Sequence, residues 1–252
     1  MPIDQLSDLK IIVTGGASGI GKATSRLLAQ GGARVMIADI DEDGGQAHAD
    51  SLGEPAIFQK LDVTSQDDWS VAVSRAEEAF GGLNAVFNNA GIVGFGGVAK
   101  CTPEEFRRII DINLHGVYLG IHCCAGALKQ AGGGVIVNAS STAGLIGYAS
   151  LAGYTTSKWA VRGLTKAAAL DLAADGTRVL SIHPGGIETP MTENIDEEAI
   201  TQQPIPRLGN PEEVARLVRF LLTEATFSTG SEFVIDGGTT AGQVVDFPDD
   251  CP

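Results

Sequence analysis

Short apolar runs alternate with longer amphipathic stretches along almost the whole chain. KIIVTG at 10–15, RVMIAD at 34–39, AIFQKLDV at 56–63 and AVFNNAG at 85–91 are mostly apolar over strand lengths. GVIVNASS at 134–141, RVLSIHPG at 178–185 and EFVIDGG at 232–238 repeat the form. Runs that are apolar at consecutive positions suit strands buried on both faces, and the stretches between them supply the covering helices. Helices are expected over about 19–31, over about 104–130, from the neighbourhood of Tyr154 to about Ala174, and over 211–222. Thr102 is placed to cap the long helix, with Pro103 in its first turn and Glu105 completing a capping box. The expected class is α/β: a parallel sheet of seven strands with helices on both faces. No linker, repeat or low-complexity tract divides residues 1–252, so a single domain is expected.

One stretch breaks the pattern. Residues 186–210, GIETPMTENIDEEAITQQPIPRLGN, mix prolines and charges without a period. A long irregular segment after a strand's C-terminal end sits where ligands bind in open α/β sheets. It is read as a substrate-covering loop with a short helix or two.

Composition removes several classes of function. The formal net charge of −14 repels a phosphate backbone, so no nucleic-acid partner is expected. No apolar run reaches the ~18 residues of a membrane span. The opening MPIDQLSDLK lacks a basic segment followed by an apolar one, which favours a cytoplasmic protein. Cys101, Cys123, Cys124 and Cys251 have no zinc spacing, and His115, His122 and His183 no metal-ligand spacing, so no metal is expected. Trp69 and Trp159 are read as packing residues.

The chemistry lies in two constellations. In TGGASGIG at 14–21, Gly15 permits a tight turn, Gly19 a close approach to a pyrophosphate, and Gly21 close packing of the following helix on the sheet. That helix would present free N–H groups and its positive dipole end to phosphates. Asp39 ends the second strand, where a carboxylate accepts from adenosine ribose hydroxyls and repels a 2′-phosphate. No Arg or Lys stands at 16–20 or at Ile40, so NAD is expected rather than NADP. Asp62 and Val63 are placed to meet the adenine. In the second constellation, Tyr154 and Lys158 are one helical turn apart and Ser141 precedes them. An ammonium beside a phenol favours the phenolate, and such a tyrosine can take a proton from an alcohol or return one to a carbonyl.

Together these residues resemble the short-chain dehydrogenase/reductase family. The resemblance covers residues 8 to about 240. It rests on TGGASGIG, Asp62-Val63, NNAG at 88–91, Asn113 in DINLHG, Ser141, YTTSK at 154–158 and HPGGIETPM at 183–191. It implies a Rossmann-type doubly wound seven-stranded sheet, a nicotinamide dinucleotide and a homotetramer. It also implies that Tyr154 is the general acid/base and that Lys158 lowers its pKa and holds the nicotinamide ribose. Ser141 would orient the substrate oxygen, and Asn113 would hold a water in a relay to Lys158. Ser18 and Ile20 in the turn, Ile40 after Asp39, and Asn89, Ala90 and Gly91 would line the cofactor. Pro184, Gly185, Ile187 and Thr189 would meet its nicotinamide end.

The substrate pocket is expected from Ile92–Gly97, Thr142–Leu151 and Gly185–Arg207, with Phe95, Leu145, Ile146, Tyr148, Leu151, Ile187 and Met191 making an apolar site. Arg207 stands alone as a cation there, which disfavours carboxylate and phosphate substrates. GLNAVFNNAGI, AGYTTSK and SIHPGGIETPM are most similar to bacterial NAD-dependent hydroxysteroid dehydrogenases. A smaller secondary or cyclic alcohol, and a non-catalytic dinucleotide sensor, are the other readings.

Overall fold

The computed structural model describes residue 3, residues 5–193, residue 201 and residues 203–242. Seven strands form one sheet: β1 (Lys10–Thr14), β2 (Arg34–Asp39), β3 (Ala56–Lys60), β4 (Ala85–Asn88), β5 (Gly134–Ala139), β6 (Thr177–Pro184) and β7 (Glu232–Ile235). Their order is β3-β2-β1-β4-β5-β6-β7, and every neighbouring pair is parallel. The chain leaves β1 towards one edge, then returns to start β4 on its other side. That reversal opens a crevice at the strands' C-terminal ends.

Helices α1 (Gly19–Gln30), α2 (Glu42–Leu52) and α7 (Pro211–Thr223) cover one face; α3 (Gln66–Phe80), α5 (Gly116–Gln130) and α6 (Ala152–Asp171) cover the other. The strand pattern explains why both faces are dry. Ile11 and Val13 point into the layer with Leu28 and Val218, whereas Ile12 joins Trp69 and Leu128 in the opposite layer. Each such fully buried aliphatic side chain stabilises the fold by roughly 1.5–3 kcal/mol.

Strands end earlier than their apolar runs, and the causes are local. β3 stops at Lys60, opposite Asp39 where β2 ends, so Asp62 and Val63 lie in the following loop. β4 stops at Asn88, after which residues 89–91 turn under the glycine loop. The long helix is interrupted: α4 (Pro103–Ile110) passes into a π-helical turn, Asp111–His115, before α5, and Gly116 N–H donates to the Asp111 carbonyl. The capping box is half made. Thr102 Oγ1 accepts from Glu105 N–H at 3.2 Å, but the Glu105 carboxylate turns to Arg108 instead of returning to Thr102. In the irregular stretch, Pro190–Thr192 forms one 3-10 turn, and the remainder of the short helices expected there falls at 194–200 and 202, outside the described residues. Residues 203–209 fold back on the C-terminal turn, with Ile205 N–H donating to Gly237 O at 2.9 Å and Thr239 Oγ1 to Gln203 Oε1 at 2.9 Å.

Candidate active site

The glycine turn is built so that side chains have no room. Gly15 and Gly19 have φ of +62° and +50°, a region that favours glycine. A Cβ on Gly21 would lie 2.1 Å from the Gly15 carbonyl oxygen. The turn is fastened to the end of β4: Asn89 Nδ2 donates to Thr14 O at 2.9 Å, and Thr14 Oγ1 accepts from the N–H groups of Asn89 and Ala90 at 3.0 and 3.1 Å. Ser18, the N-cap of α1, makes no capping bond with its side chain, so the first N–H groups of the helix face the crevice available to an anion. These features fit a dinucleotide's pyrophosphate.

Asp39 stands beside this turn. Its two oxygens accept from Ala17 N–H at 2.9 Å and Asp41 N–H at 3.0 Å, which fixes the carboxylate beside the glycine turn. Ile40 is 65% exposed and, with Asp62, lines a separate cleft of about 350 Å³. Asp62 Oδ1 accepts from both Thr64 N–H and Thr64 Oγ1, at 2.9 and 2.7 Å. Thr64, Arg107 and Arg108 share that cleft and were not singled out from the sequence, since only folding brings α4 beside the loop after β3. Val63 lies deeper, packed against Gly116, its carbonyl accepting from Trp69 Nε1 at 3.1 Å.

A cavity of about 270 Å³ runs from the glycine turn to the catalytic candidates. Gly15, Ser18, Gly19 and Ile20 line one end; Asn89, Ala90 and Gly91 its floor; Pro184, Gly185, Ile187 and Thr189 its far wall. Ser141, Tyr154 and Lys158 meet there. Lys158 is buried, and its Nζ donates to Ala139 O at 2.9 Å and lies 5.5 Å from the centre of the Tyr154 ring. Burial pushes the lysine down to about 8. Tyr154 keeps part of its ring open to the cavity, yet burial raises its hydroxyl above the ordinary phenol value, while a hydrogen bond with Ser141 acts the other way. Burial is the larger effect, so the net direction at Tyr154 is upward, opposite to the lowering by Lys158 expected from their spacing.

Asn113 is fully buried in the π turn, but its amide does not reach for Lys158. Oδ1 accepts from Ile92 N–H at 2.8 Å, and Nδ2 donates to Ile92 O at 2.8 Å and Ser157 Oγ at 3.1 Å. The side chain thus holds the loop after β4. A Cβ on Gly91 would lie 3.2 Å from Asn113 Oδ1 and 3.5 Å from Lys158 Nζ, so a side chain there would crowd this junction.

The substrate residues separate. Met191 lines the cavity with Ile187, and Pro190 and Thr192 join them. Leu145, Tyr148 and Leu151 lie outside it: Tyr148 donates to Thr142 Oγ1 at 3.1 Å, and Leu151 pairs with Gly96. Phe95 and Ile146 are exposed, Phe95 by 72%. Arg207 is committed to Glu213 through two bonds of 2.9 Å. Among the described residues no group of three or more His, Cys, Asp or Glu is placed to hold a metal ion, and no helix is long and apolar enough to cross a membrane.

The comparisons agree with this geometry. The sequence family described as enoyl-(acyl carrier protein) reductase matches residues 15–240. The chain is similar to the 3-alpha-(or 20-beta)-hydroxysteroid dehydrogenase of Mycobacterium tuberculosis, at 46% identity over 92% of this chain and 89% of that one. It is 45% identical to the cyclohexanol dehydrogenase of an Acinetobacter strain, over 91% of this chain and 94% of that one. A short-chain type dehydrogenase/reductase from Mycobacterium marinum superposes with a TM-score of 0.90 at 36% identity, covering 94% of this chain and 98% of the other. The chain belongs to the short-chain dehydrogenase/reductase family. As a short-chain dehydrogenase/reductase it is an oxidoreductase that works with a nicotinamide dinucleotide.

Proposed function

We propose that this enzyme interconverts a secondary alcohol and a ketone with NAD, and that its substrate is a hydroxysteroid. The observation that carries the reading is the meeting of Ser141, Tyr154 and Lys158 in the cavity that continues from the glycine turn. A nicotinamide dinucleotide held between the glycine turn and residues 184–189 would supply or take up the hydride. Ser141 holds the substrate oxygen, and Tyr154 takes its proton in oxidation or returns it in reduction. Lys158 supplies the positive charge nearest to Tyr154 and holds the nicotinamide ribose. Asn113 acts through the Ile92 loop, keeping the cavity floor beside Lys158 in place. Asp39 selects NAD, because a 2′-phosphate would approach a carboxylate already fixed by two backbone donors.

The apolar wall of Ile187, Pro190 and Met191, and the pairing of Arg207 with Glu213, support an uncharged substrate. A smaller cyclic alcohol is the second reading, favoured by the near-equal likeness to a cyclohexanol dehydrogenase. Exposed Phe106, Tyr118 and Trp159 on α4 to α6 offer surface for a homotetramer, and the unpaired Cys101, Cys123 and Cys124 among the described residues suit a reducing cytoplasm. The test is NADH and NADPH formation with 3-, 17- and 20-hydroxysteroids, cyclohexanol and cyclopentanol. Turnover of a hydroxysteroid with NAD is expected to exceed the rest. Preference for NADP, or failure with every alcohol, would sink the proposal.

A further inference from the structure

We propose that His183 is a positioning residue for the reaction: its Nδ1–H holds the Ser141 carbonyl and so fixes where the Ser141 hydroxyl points. The inference rests on the role of Ser141 given above.

The need for such a group is set by the sheet. The register between β5 and β6 ends at Ala139 opposite Ile182, and one further main-chain rung runs from Ser140 N–H to Ile182 O at 2.9 Å. The next donor on that edge would come from Pro184, which has no N–H. The ladder therefore stops just before Ser141, and a side chain takes over. His183 is fully buried, with Nδ1 3.1 Å from Ser141 O and Nε2 3.0 Å from Ser181 Oγ. A carbonyl only accepts, so Nδ1 carries the hydrogen, and the Ser181 hydroxyl donates to the lone pair on Nε2. Burial keeps the ring neutral; the charges of Lys158 and Arg162 add to that effect, and Glu232 and the Ser141 bond oppose it.

Ser141 is then held at two points. His183 fixes its carbonyl, and its own Oγ accepts from Ala143 N–H at 3.1 Å as the chain turns into residues 142–144. His183 also directly precedes Pro184 and Gly185 in the cavity wall. One buried ring thus sets the distance between the serine and the wall that faces the nicotinamide.

Three variants test this. Asn places Nδ2 where His has Nδ1, so His183→Asn keeps a donor for Ser141 and loses the Ser181 contact. His183→Gln keeps a partner for Ser181 and has no donor for Ser141. His183→Leu has neither. Displacing a reacting group by ~1 Å can cost ~100-fold. With a good alcohol substrate, His183→Gln and His183→Leu are expected to lose about 10- to 100-fold in kcat, and His183→Asn less than about threefold. NADH affinity, from fluorescence titration, should stay near wild type in all three. Equal kcat for the Asn and Gln variants, or an unchanged His183→Leu enzyme, overturns the inference. The 15N imidazole spectrum of the wild-type protein provides a reading that needs no substrate. A neutral Nδ1–H tautomer is expected at pH 7, and an Nε2–H tautomer or an imidazolium overturns the bond. A wild type that oxidises no alcohol would instead sink the proposed function, with the spectrum still deciding the hydrogen bond.

Discussion

The two sides of the cavity are built in different ways. On the cofactor side, main-chain atoms and three side chains anchored to main chain do the positioning. Thr14 and Asn89 lock β1 to the end of β4, Asp39 accepts from Ala17 N–H, and Gly16 N–H donates to Ala38 O at 3.3 Å. On the substrate side, a long connection leaves β6 and is closed at its base by Glu188 N–H to Gly209 O and Gly209 N–H to Gly186 O, both 2.9 Å. Beyond that base it leans on residues 236–240 through a few polar contacts. The lesson is a division of labour. The glycine turn offers backbone geometry with no room for an extra atom, as a phosphate site would need, whereas the substrate side offers apolar side chains on a long connection.

The largest expected effect falls where the sides meet. Tyr154→Phe keeps the ring and deletes the hydroxyl, so kcat should fall by about 10²–10⁴-fold with NADH affinity retained. Near-normal turnover would remove Tyr154 as the acid/base.

A methyl group should break the cofactor side. Gly21→Ala puts a Cβ 2.1 Å from Gly15 O and 2.7 Å from Asn89 Nδ2. Overpacking of this kind costs roughly 1–3 kcal/mol, which corresponds to ~10- to 100-fold weaker NADH binding if the turn carries the strain. Unchanged NADH titration would show that the cradle is softer than described.

Cofactor choice should follow one charge. Asp39→Ser with Ile40→Arg removes a carboxylate and adds a cation at an exposed position, and should raise the kcat/KM ratio of NADP to NAD by about tenfold or more. A wild type that already uses both equally would contradict the assignment to Asp39.

Lys158 gives a smaller effect with a defined sign. Its value of about 8 in the folded protein lies below the ordinary 10.5, so between those pH values the unfolded chain binds more protons. The protonated lysine therefore destabilises the cofactor-free fold below pH 8, by roughly 3 kcal/mol at most, and the cost fades as pH rises towards 10.5. Lys158→Met removes it but orphans the Ala139 carbonyl, which costs about 1–3 kcal/mol. The cofactor-free variant should melt a few degrees higher at pH 7 and lose that advantage by about pH 10, as calorimetry would show. Its alcohol oxidation should rise with pH later than in wild type, since the charge nearest Tyr154 is gone. A variant that melts lower at pH 7 would count against a strained lysine.

The smallest effect belongs to the substrate side. Thr239→Val removes the hydroxyl that contacts Gln203 Oε1 and Asp236 O and should raise the KM for the alcohol by about two- to threefold, leaving NADH affinity alone. A matching loss of cofactor binding would erase the contrast between the sides.

The same contrast explains what the sequence revealed. The seven strands, the glycine turn and Asp39 were readable because each rests on local pattern: apolar runs, φ-permissive residues, a strand end. Ser141, Tyr154 and Lys158 were readable because helical spacing and one resemblance bring them together. The π turn at Asp111–His115 was not, since its residues continue the helical pattern and only the pull of Ile92 and Ser157 on Asn113 marks it. Phe95, Leu145, Tyr148 and Leu151 are apolar or aromatic, as a pocket requires, but hydrophobicity does not say which way a loop faces. His183 carries no spacing signal; its role depends on a proline in the next position and a carbonyl 42 residues away.

The turn at residues 236–240 bears on how the molecule is made. Gly185 packs so tightly on Asp236 that a Cβ there would meet its Cα at 2.8 Å, and Gly238 abuts Pro204. The residues of the glycine turn and Asp39 are synthesised before any of those that form the substrate wall. The substrate wall waits for the turn after β7, which follows in the chain and is its support. In a nascent chain the glycine turn and its anchor at Asn89 can thus be in place before the support of the substrate wall exists.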